Sequence, residues 1–396
     1  MRALTWQGRR KVSVEEVPDP RIEEPGDAVI QVTSTAICGS DLHLYELLGP
    51  FLDPGDVLGH ETMGVVVEVG PAVTSLRVGQ RVVIPFNIAC GDCFMCRNGL
   101  QSQCETTQVR DQGTGAALFG YSKLYGQVPG GQAEYLRVPI ADYNTIPVPE
   151  GPADERFLFL SDILPTAHQA VEYAGVTADQ TVAVLGLGPV GQIASRIAAA
   201  RGARVIGVDP VVERRDMADR HGVEAWTEED VVDRVIDATD GRGADVVIDA
   251  VGLEAHGTPV VKAAHKLIGV MPDALAGPLM EHHGVDRLAA LYSAIDMVRR
   301  GGTVSISGVY AGDADVMPMR TMFDKQLTLR MGQCNVKRWT DDLRARLEQA
   351  DDLDLEGLPT HHAPLESAPE LYETFQKKED GCIKVVLHPG QSASAA

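Results

Sequence analysis

The chain has 396 residues, 44% of them apolar, and a formal net charge of −21 from 56 Asp and Glu against 35 Lys and Arg. That length suggests two or more domains, the apolar fraction excludes a disordered chain, and the acidic balance argues against nucleic-acid binding and adsorption to anionic membranes. The first residues, Met1 to Lys11, lack a signal-peptide core, and the most apolar stretch, Thr181 to Ala200, is broken by Gly186, Gly188, Pro189 and Gly191, so a cytoplasmic protein with no membrane partner is expected.

Residues 1 to 37 read as short strands and turns, ending in the strand-like run Ala28-Val29-Ile30-Gln31-Val32. Cys38-Gly39-Ser40-Asp41-Leu42-His43 follows, then an irregular stretch, then Gly59-His60-Glu61. Cys38 and His60 are donors suited to Zn²⁺, with a hydroxyl, Ser40, and an imidazole, His43, close behind the cysteine. By themselves they read more readily as a buried thiol, a core histidine, a capping hydroxyl and a solvated ring. The β-branched runs Gly64 to Gly70 and Arg81 to Pro85 make this half β-rich.

Cys90, Cys93, Cys96 and Cys104 have the spacing C-x2-C-x2-C-x7-C. Four thiolates on one short loop can close a tetrahedral shell with no open position, which describes a structural zinc; an iron–sulfur cluster is the rival for closely spaced cysteines. A Gly-rich stretch with Gly130-Gly131-Gln132-Ala133-Glu134-Tyr135 leads to Leu160-Ser161-Asp162, a helix over 165–174 and the apolar strand Thr181 to Leu185. This strand runs into Gly186-Leu187-Gly188-Pro189-Val190-Gly191, an Ala-rich helix, and a second strand, Arg204 to Val208, ending at Asp209. Strand, G-x-G-x-x-G, helix, strand and acid in that order predict a dinucleotide fold. Gly186 makes the tight turn, Gly188 admits a pyrophosphate, Gly191 allows close packing, and Asp209 suits the ribose hydroxyls of NAD over the 2′-phosphate of NADP. Ala244 to Gly252 and Gly301 to Val309 read as further parallel strands, separated by an insertion over about 253–290 that holds His256, His265, His282 and His283. β-rich character is expected to return near 325, followed by an acidic helix over 340–350, a strand from Cys382 to Leu387 and a disordered tail from Gly390.

Together, Cys38, Gly59-His60-Glu61, the four-cysteine lobe and the Gly186–Gly191 fingerprint resemble the zinc-dependent medium-chain alcohol dehydrogenases over nearly the whole chain. Gly130 to Tyr135 and Leu160 to Thr166 resemble, within them, the glutathione-independent formaldehyde dehydrogenase branch. The resemblance implies an α/β chain: a discontinuous β-rich GroES-like catalytic domain over 1–162 and 325–396, with a structural zinc lobe at about 88–106, and a Rossmann NAD-binding domain with a parallel sheet over 163–324. It implies two zinc ions, one held by Cys38, His60 and Asp162 and one by the four cysteines, with Glu61 beside the first. Asp162 unaided reads as a helix cap. It further implies Ser40 and His43 as a proton path, Thr166 against the nicotinamide, and Arg214 and Val251 near the cofactor. The expected function is hydride transfer between NAD and a small alcohol or aldehyde hydrate, with formaldehyde favoured. A polyol or secondary-alcohol dehydrogenase and a non-enzymatic NAD- or zinc-binding sensor are the alternatives. A homodimer or homotetramer is expected, pairing through a strand at Val304 to Met317.

Overall fold

The computed structural model describes residues 1–252, 288–310 and 317–391. The chain divides into two compact units, Met1–Pro165 with Cys334–Ala396, and Thr166–Gln333.

The first unit carries strands β1 (Arg2–Gly8), β2 (Lys11–Glu16), β3 (Ala28–Ile37), β4 (Glu61–Val69), β5 (Arg81–Ile84), β6 (Tyr135–Val138) and β7 (Ile146–Pro147), and, after the second unit, β14 (His361–Pro364) and β15 (Val385–His388). β1 and β2 form a hairpin, while the main sheet runs β14-β15-β3-β4-β5-β7 with β6 also on β3. β3 is rich in β-branched residues and sits in the middle of this sheet. Alternate residues Ala28, Ile30 and Val32 share one core with Val66, Val82, Ile84 and Leu136. Ile37, at the other end of β3, joins a second core with Val385, Leu387, Leu4 and Tyr372.

Register decides where chemistry can gather. β3 pairs antiparallel with β4 so that Ala36 faces Glu61, and antiparallel with β15 so that Ile37 faces Val385. The residues just past these pairs, Cys38, His60 and Lys384, therefore emerge at one edge of three adjacent strands. The helix Gly39–Glu46 starts there, because Cys38 is extended and its amide is capped by Asp41 Oδ2 at 2.9 Å.

The second unit holds β8 (Thr181–Leu185), β9 (Arg204–Val208), β10 (Glu224–Trp226), β11 (Ala244–Asp249), β12 (Val298–Ile306) and β13 (Thr328–Met331). All pair in parallel, in the order β10-β9-β8-β11-β12-β13. Numbered within the unit this is 3-2-1-4-5-6, the Rossmann order, with its switch point between β8 and β11. Two expectations change. The β-rich catalytic domain is expected to resume near 325, but β13 pairs with β12, and the second unit runs to Gln333. The pairing strand expected at Val304 to Met317 also changes: among the described residues β12, which holds Val304, lies inside the sheet and β10 and β13 are its edges, while residues 311–316 lie outside the described residues. A short apolar run shows that a strand exists, not which sheet takes it. The histidines of the insertion and the last five residues of the tail lie outside the described residues. Among the described residues no helix is long and apolar enough to cross a membrane.

One carboxylate pins two distant turns of the first unit. Asp142 accepts from the amides and hydroxyls of Thr74 and Ser75. Partial burial opposes its charge, but these donors outweigh it and hold the carboxyl down at about 2. The folded value lies below the unfolded one of about 3.9, so the contribution is complete above that pH and vanishes as pH falls through the folded value. Asp142→Asn should cost about 1 kcal/mol at pH 7 after solvent screening. The difference from wild type in denaturant midpoint should close between about pH 4 and pH 2; a difference that is constant with pH would contradict the assignment.

Candidate metal and nucleotide sites

The edge of three strands assembles the first donor group. One ligand atom each from Cys38, His60, Glu61 and Asp162 lies within 4.8 Å of all the others. Asp162 Oδ2 is 3.3 Å from His60 Nε2 and 3.7 Å from Cys38 Sγ. Asp162 enters from the junction between the turn Phe159–Ser161 and the helix Ile163–Ala174, a segment tied to the sheet by the Phe86 amide on Ser161 O at 2.9 Å. It precedes that helix as the cap reading expects, but its carboxylate faces the sulfur and the imidazole.

All four side chains are buried or nearly so, and Asp41 is fully buried beside them. Asp41 Oδ1 lies 3.2 Å from His60 Nδ1, and its Oδ2 accepts from the Cys38 amide and from Gln132 Nε2. A carboxylate on Nδ1 leaves Nε2 as the donor atom, the usual arrangement behind a metal-bound imidazole. Gln132 is held in turn by the Tyr372 hydroxyl at 2.7 Å. Glu61 Oε1 accepts from Lys384 Nζ at 2.6 Å, with both side chains fully buried, and Lys384 also donates to Ile37 O. Ser40 Oγ sits 3.1 Å from His60 Nε2, and His43 follows one helical turn later, almost fully buried.

The electrostatics call for a cation. Three carboxylates and a thiol converge here, against one buried lysine among the described residues. Burial, then the charges of Glu61 and Asp162, push the Cys38 thiol up to about 11. Burial also raises Glu61, with Lys384 opposing. For His60, burial works against the charged form, but Asp41 and Asp162 outweigh it and draw the pKa well above the ordinary range. Glu61 Oε2 has no hydrogen-bond donor among the described residues, and Asp41 Oδ1 meets His60 Nδ1 as a charge contact at 3.2 Å and not as a well-aligned hydrogen bond. A tetrahedral ion with about 2.3 Å to sulfur and about 2.0 Å to nitrogen and oxygen would place its ligand atoms about 3.3 to 3.6 Å apart. The observed spacings match that set, and the donor types suit zinc.

The second donor group is local. The sulfurs of Cys90, Cys93, Cys96 and Cys104 lie within 4.8 Å of one another, with Cys93 Sγ and Cys104 Sγ 3.9 Å apart. The edge of a tetrahedral zinc tetrathiolate is about 3.8 Å. Backbone amides aim at these sulfurs: Asp92 and Cys93 donate to Cys90, Cys96 and Glu105 to Cys93, and Cys90 to Cys104. Burial opposes ionisation of Cys90, but the Thr106 hydroxyl and the Asp92 and Cys93 amides hold its thiol down at about 6.

In the second unit, the glycine-rich turn lies at the carboxyl ends of β8 and β11. Gly186 has φ +85°, and a Cβ on Gly191 would meet Gly186 O at 1.8 Å, so neither position tolerates a side chain. At Gly188 the nearest atom to a Cβ is Arg214 Nη1 at 3.8 Å, which leaves space beside the first amides of the helix Pro189–Ala200. Pro189 starts that helix without a side-chain cap. Asp209 accepts from the Leu187 amide through Oδ2 and the Val211 amide through Oδ1, each at 2.8 Å, with Arg214 Nη1 at 3.5 Å. Val251 packs against Gly186 at the end of β11, and Val190 is in the first turn of the helix. Thr166 lies in the helix Ile163–Ala174.

Three residues of this arrangement escaped the sequence reading: Asp41, Gln132 as a support for it, and Lys384. Signals existed for two. Asp41 stands three residues after an extended Cys38, the capping-box position, and Lys384 interrupts an otherwise apolar strand run.

Known proteins give the same picture. Residues 24–150 match the alcohol dehydrogenase GroES-like domain, and residues 189–271 the zinc-binding dehydrogenase family. The uncharacterized zinc-type alcohol dehydrogenase-like protein AdhB of Bacillus subtilis is 43% identical across 98% of this chain and 100% of its own. The glutathione-independent formaldehyde dehydrogenase of Pseudomonas aeruginosa is 35% identical over 77% of this chain and 80% of its own. Among solved structures, alcohol dehydrogenase TADH from Thermus sp. ATN1 superposes with a TM-score of 0.79 at 34% identity, covering 98% of this chain and 100% of that one. The chain belongs to the zinc-dependent medium-chain alcohol dehydrogenases and resembles their glutathione-independent formaldehyde dehydrogenase branch.

Proposed function

We propose that this chain is an NAD-dependent alcohol and aldehyde dehydrogenase acting on formaldehyde or short-chain substrates, with one catalytic and one structural zinc. The observation that carries the reading is the donor set Cys38, His60 and Asp162, whose ligand atoms lie within 4.8 Å of one another beside Glu61; the carboxylate among them is what the resemblance to the formaldehyde branch implies. These three would hold the catalytic ion and leave one position for substrate. Cys90, Cys93, Cys96 and Cys104 would hold the other ion with no position free.

When bound, zinc would supply Lewis acidity toward a hydroxyl oxygen and NAD the capacity to accept hydride. The chain's own groups bind, orient and move protons. Asp41 fixes the His60 ring, and Lys384 balances Glu61, which is close enough to the donor set to act as an alternate ligand. Ser40 Oγ, beside His60 Nε2, is placed to take a proton from the substrate hydroxyl and pass it towards His43. At the cofactor, Gly188 leaves room for the pyrophosphate. The unused lone pairs of Asp209 accept from the ribose hydroxyls, a carboxylate that a 2′-phosphate would meet as a like charge. Arg214 and Val251 line the same end of the sheet, and Thr166 borders the nicotinamide. A soluble cytoplasmic homodimer or homotetramer, with a small alcohol or aldehyde as its partner molecule, completes the proposal.

Cys38→Ala should lower turnover by roughly a hundredfold or more while NAD still binds. Retained turnover in zinc-replete buffer would sink the mechanism. Comparing formaldehyde, short aldehydes, primary alcohols and polyols with NAD⁺, with and without glutathione, should give the highest kcat/KM for formaldehyde without glutathione; a polyol preference would replace the substrate assignment. Asp209→Ala should raise the KM for NAD and narrow the preference over NADP, and an unchanged ratio would refute its role. Cys93→Ser should halve the zinc content from about two per chain and lower Tm while leaving residual turnover; unchanged zinc content and Tm would count against the structural site.

A further inference from the structure

A third group of metal-type donors lies in the first unit and shares no residue with the two donor sets above. It consists of Glu155, His362 and His388, whose ligand atoms all lie within 4.8 Å of one another. They come from three elements: the helix Asp154–Leu158, the edge strand β14 and the last residue of β15. The β14–β15 register pairs Pro364 with His388, so His362 and His388 sit two positions out of step on neighbouring parallel strands and share a face. His362 Nδ1 is 3.4 Å from His388 Nε2 and 3.4 Å from Glu155 Oε1, and His388 Nε2 is 3.9 Å from the same carboxylate oxygen.

Behind His388 the hydrogen bonds are directional. Ser34 Oγ donates to Asp154 Oδ2 at 2.8 Å, so towards His388 Nδ1, 3.2 Å away, it can only accept. His388 therefore carries its proton on Nδ1 and turns the Nε2 lone pair towards His362 and Glu155. A ring held through its far nitrogen by a hydroxyl–carboxylate relay is the arrangement that orients metal-binding histidines. Two imidazole nitrogens and a carboxylate oxygen facing one another at these spacings suit an electron-poor centre bound at about 2.0 to 2.2 Å. Imidazole donors select borderline transition cations over Mg²⁺ or Ca²⁺.

We propose that Glu155, His362 and His388 form a third metal site, a surface His₂Glu site for a divalent transition cation, Zn²⁺ or one of its neighbours in the series. Three protein ligands leave positions for water, and His362 is exposed, so the ion exchanges with solvent. Its occupation ties the edge strand β14 to β15 and to the helix Asp154–Leu158.

The test is calorimetric titration of Ni²⁺ into the untagged protein, dialysed until it carries only the two zinc ions per chain of the donor sets above, with zinc measured before and after. Wild type should take up one Ni²⁺ per chain without releasing zinc. His362→Ala, at an exposed position that threatens no core, should weaken that uptake at least about tenfold, and Ser34→Ala should weaken it by a similar factor by freeing the His388 ring. His361→Ala is the control: its side chain alternates to the other face of β14 and pairs with Asp380 at 3.3 Å, so uptake should match wild type. The proposal is overturned if wild type takes up no Ni²⁺, if uptake releases an equal amount of zinc, if His362→Ala binds Ni²⁺ as tightly as wild type, or if His361→Ala weakens it equally.

Discussion

The site at the end of β3, β4 and β15 depends on one constraint: more negative charge is buried there than the protein itself can neutralise. Asp41, Glu61 and Asp162 converge on a thiol, and among the described residues Lys384 is the one buried ammonium set against them. Burying unpaired charge is far costlier than burying a paired one. The chain answers in two ways. It doubles up on protons, holding the Cys38 thiol and the His60 ring in their protonated forms, or it accepts a divalent cation that replaces those protons. The same donors thus have two charge states, and metal uptake must be linked to proton release. Lys384 belongs to this balance as closely as any ligand, since without it the Glu61 carboxylate would lose its strongest partner.

A buried chain of hydrogen bonds carries the geometry inwards. The Tyr372 hydroxyl holds Gln132, Gln132 holds Asp41, and Asp41 stands behind His60. The Gly130-Gly131-Gln132 stretch makes sense in these terms. A Cβ on Gly59 would meet Gln132 Cγ at 2.3 Å, and one on Gly131 would meet Thr62 Oγ1 at 2.1 Å. Two backbones cross here in contact, which brings Gln132 within reach of Asp41. The glycines next to the candidate ligands serve this crossing more than they serve the metal.

What could be read from the sequence follows the range of the interactions. The cysteine lobe closes within fifteen residues, from Cys90 to Cys104, and the β8 turn with its helix and acid within about thirty, so both are written locally. Cys38 and His60 lay in view, but their meaning came from Asp162, whose part was carried by family resemblance and not by spacing. Lys384 meets Glu61 across 323 positions through strand register, which a linear reading cannot follow. The sheet that takes β13 is hidden for the same reason: its pairing with β12 is a choice of partner that its own four residues do not encode.

That separation of 323 residues also has a meaning in time. At about 5 to 20 residues per second, synthesis delivers Lys384 roughly 16 to 65 s after Glu61. The second unit, Thr166–Gln333, is contiguous and is complete on the ribosome before the first unit has its last two strands. For that interval the nascent chain displays Cys38, His60 and Asp162 with neither β15 nor its ammonium in place. The order of synthesis is therefore built into the topology: Thr166–Gln333 is complete first, and the strand that brings Lys384 to Glu61 comes last.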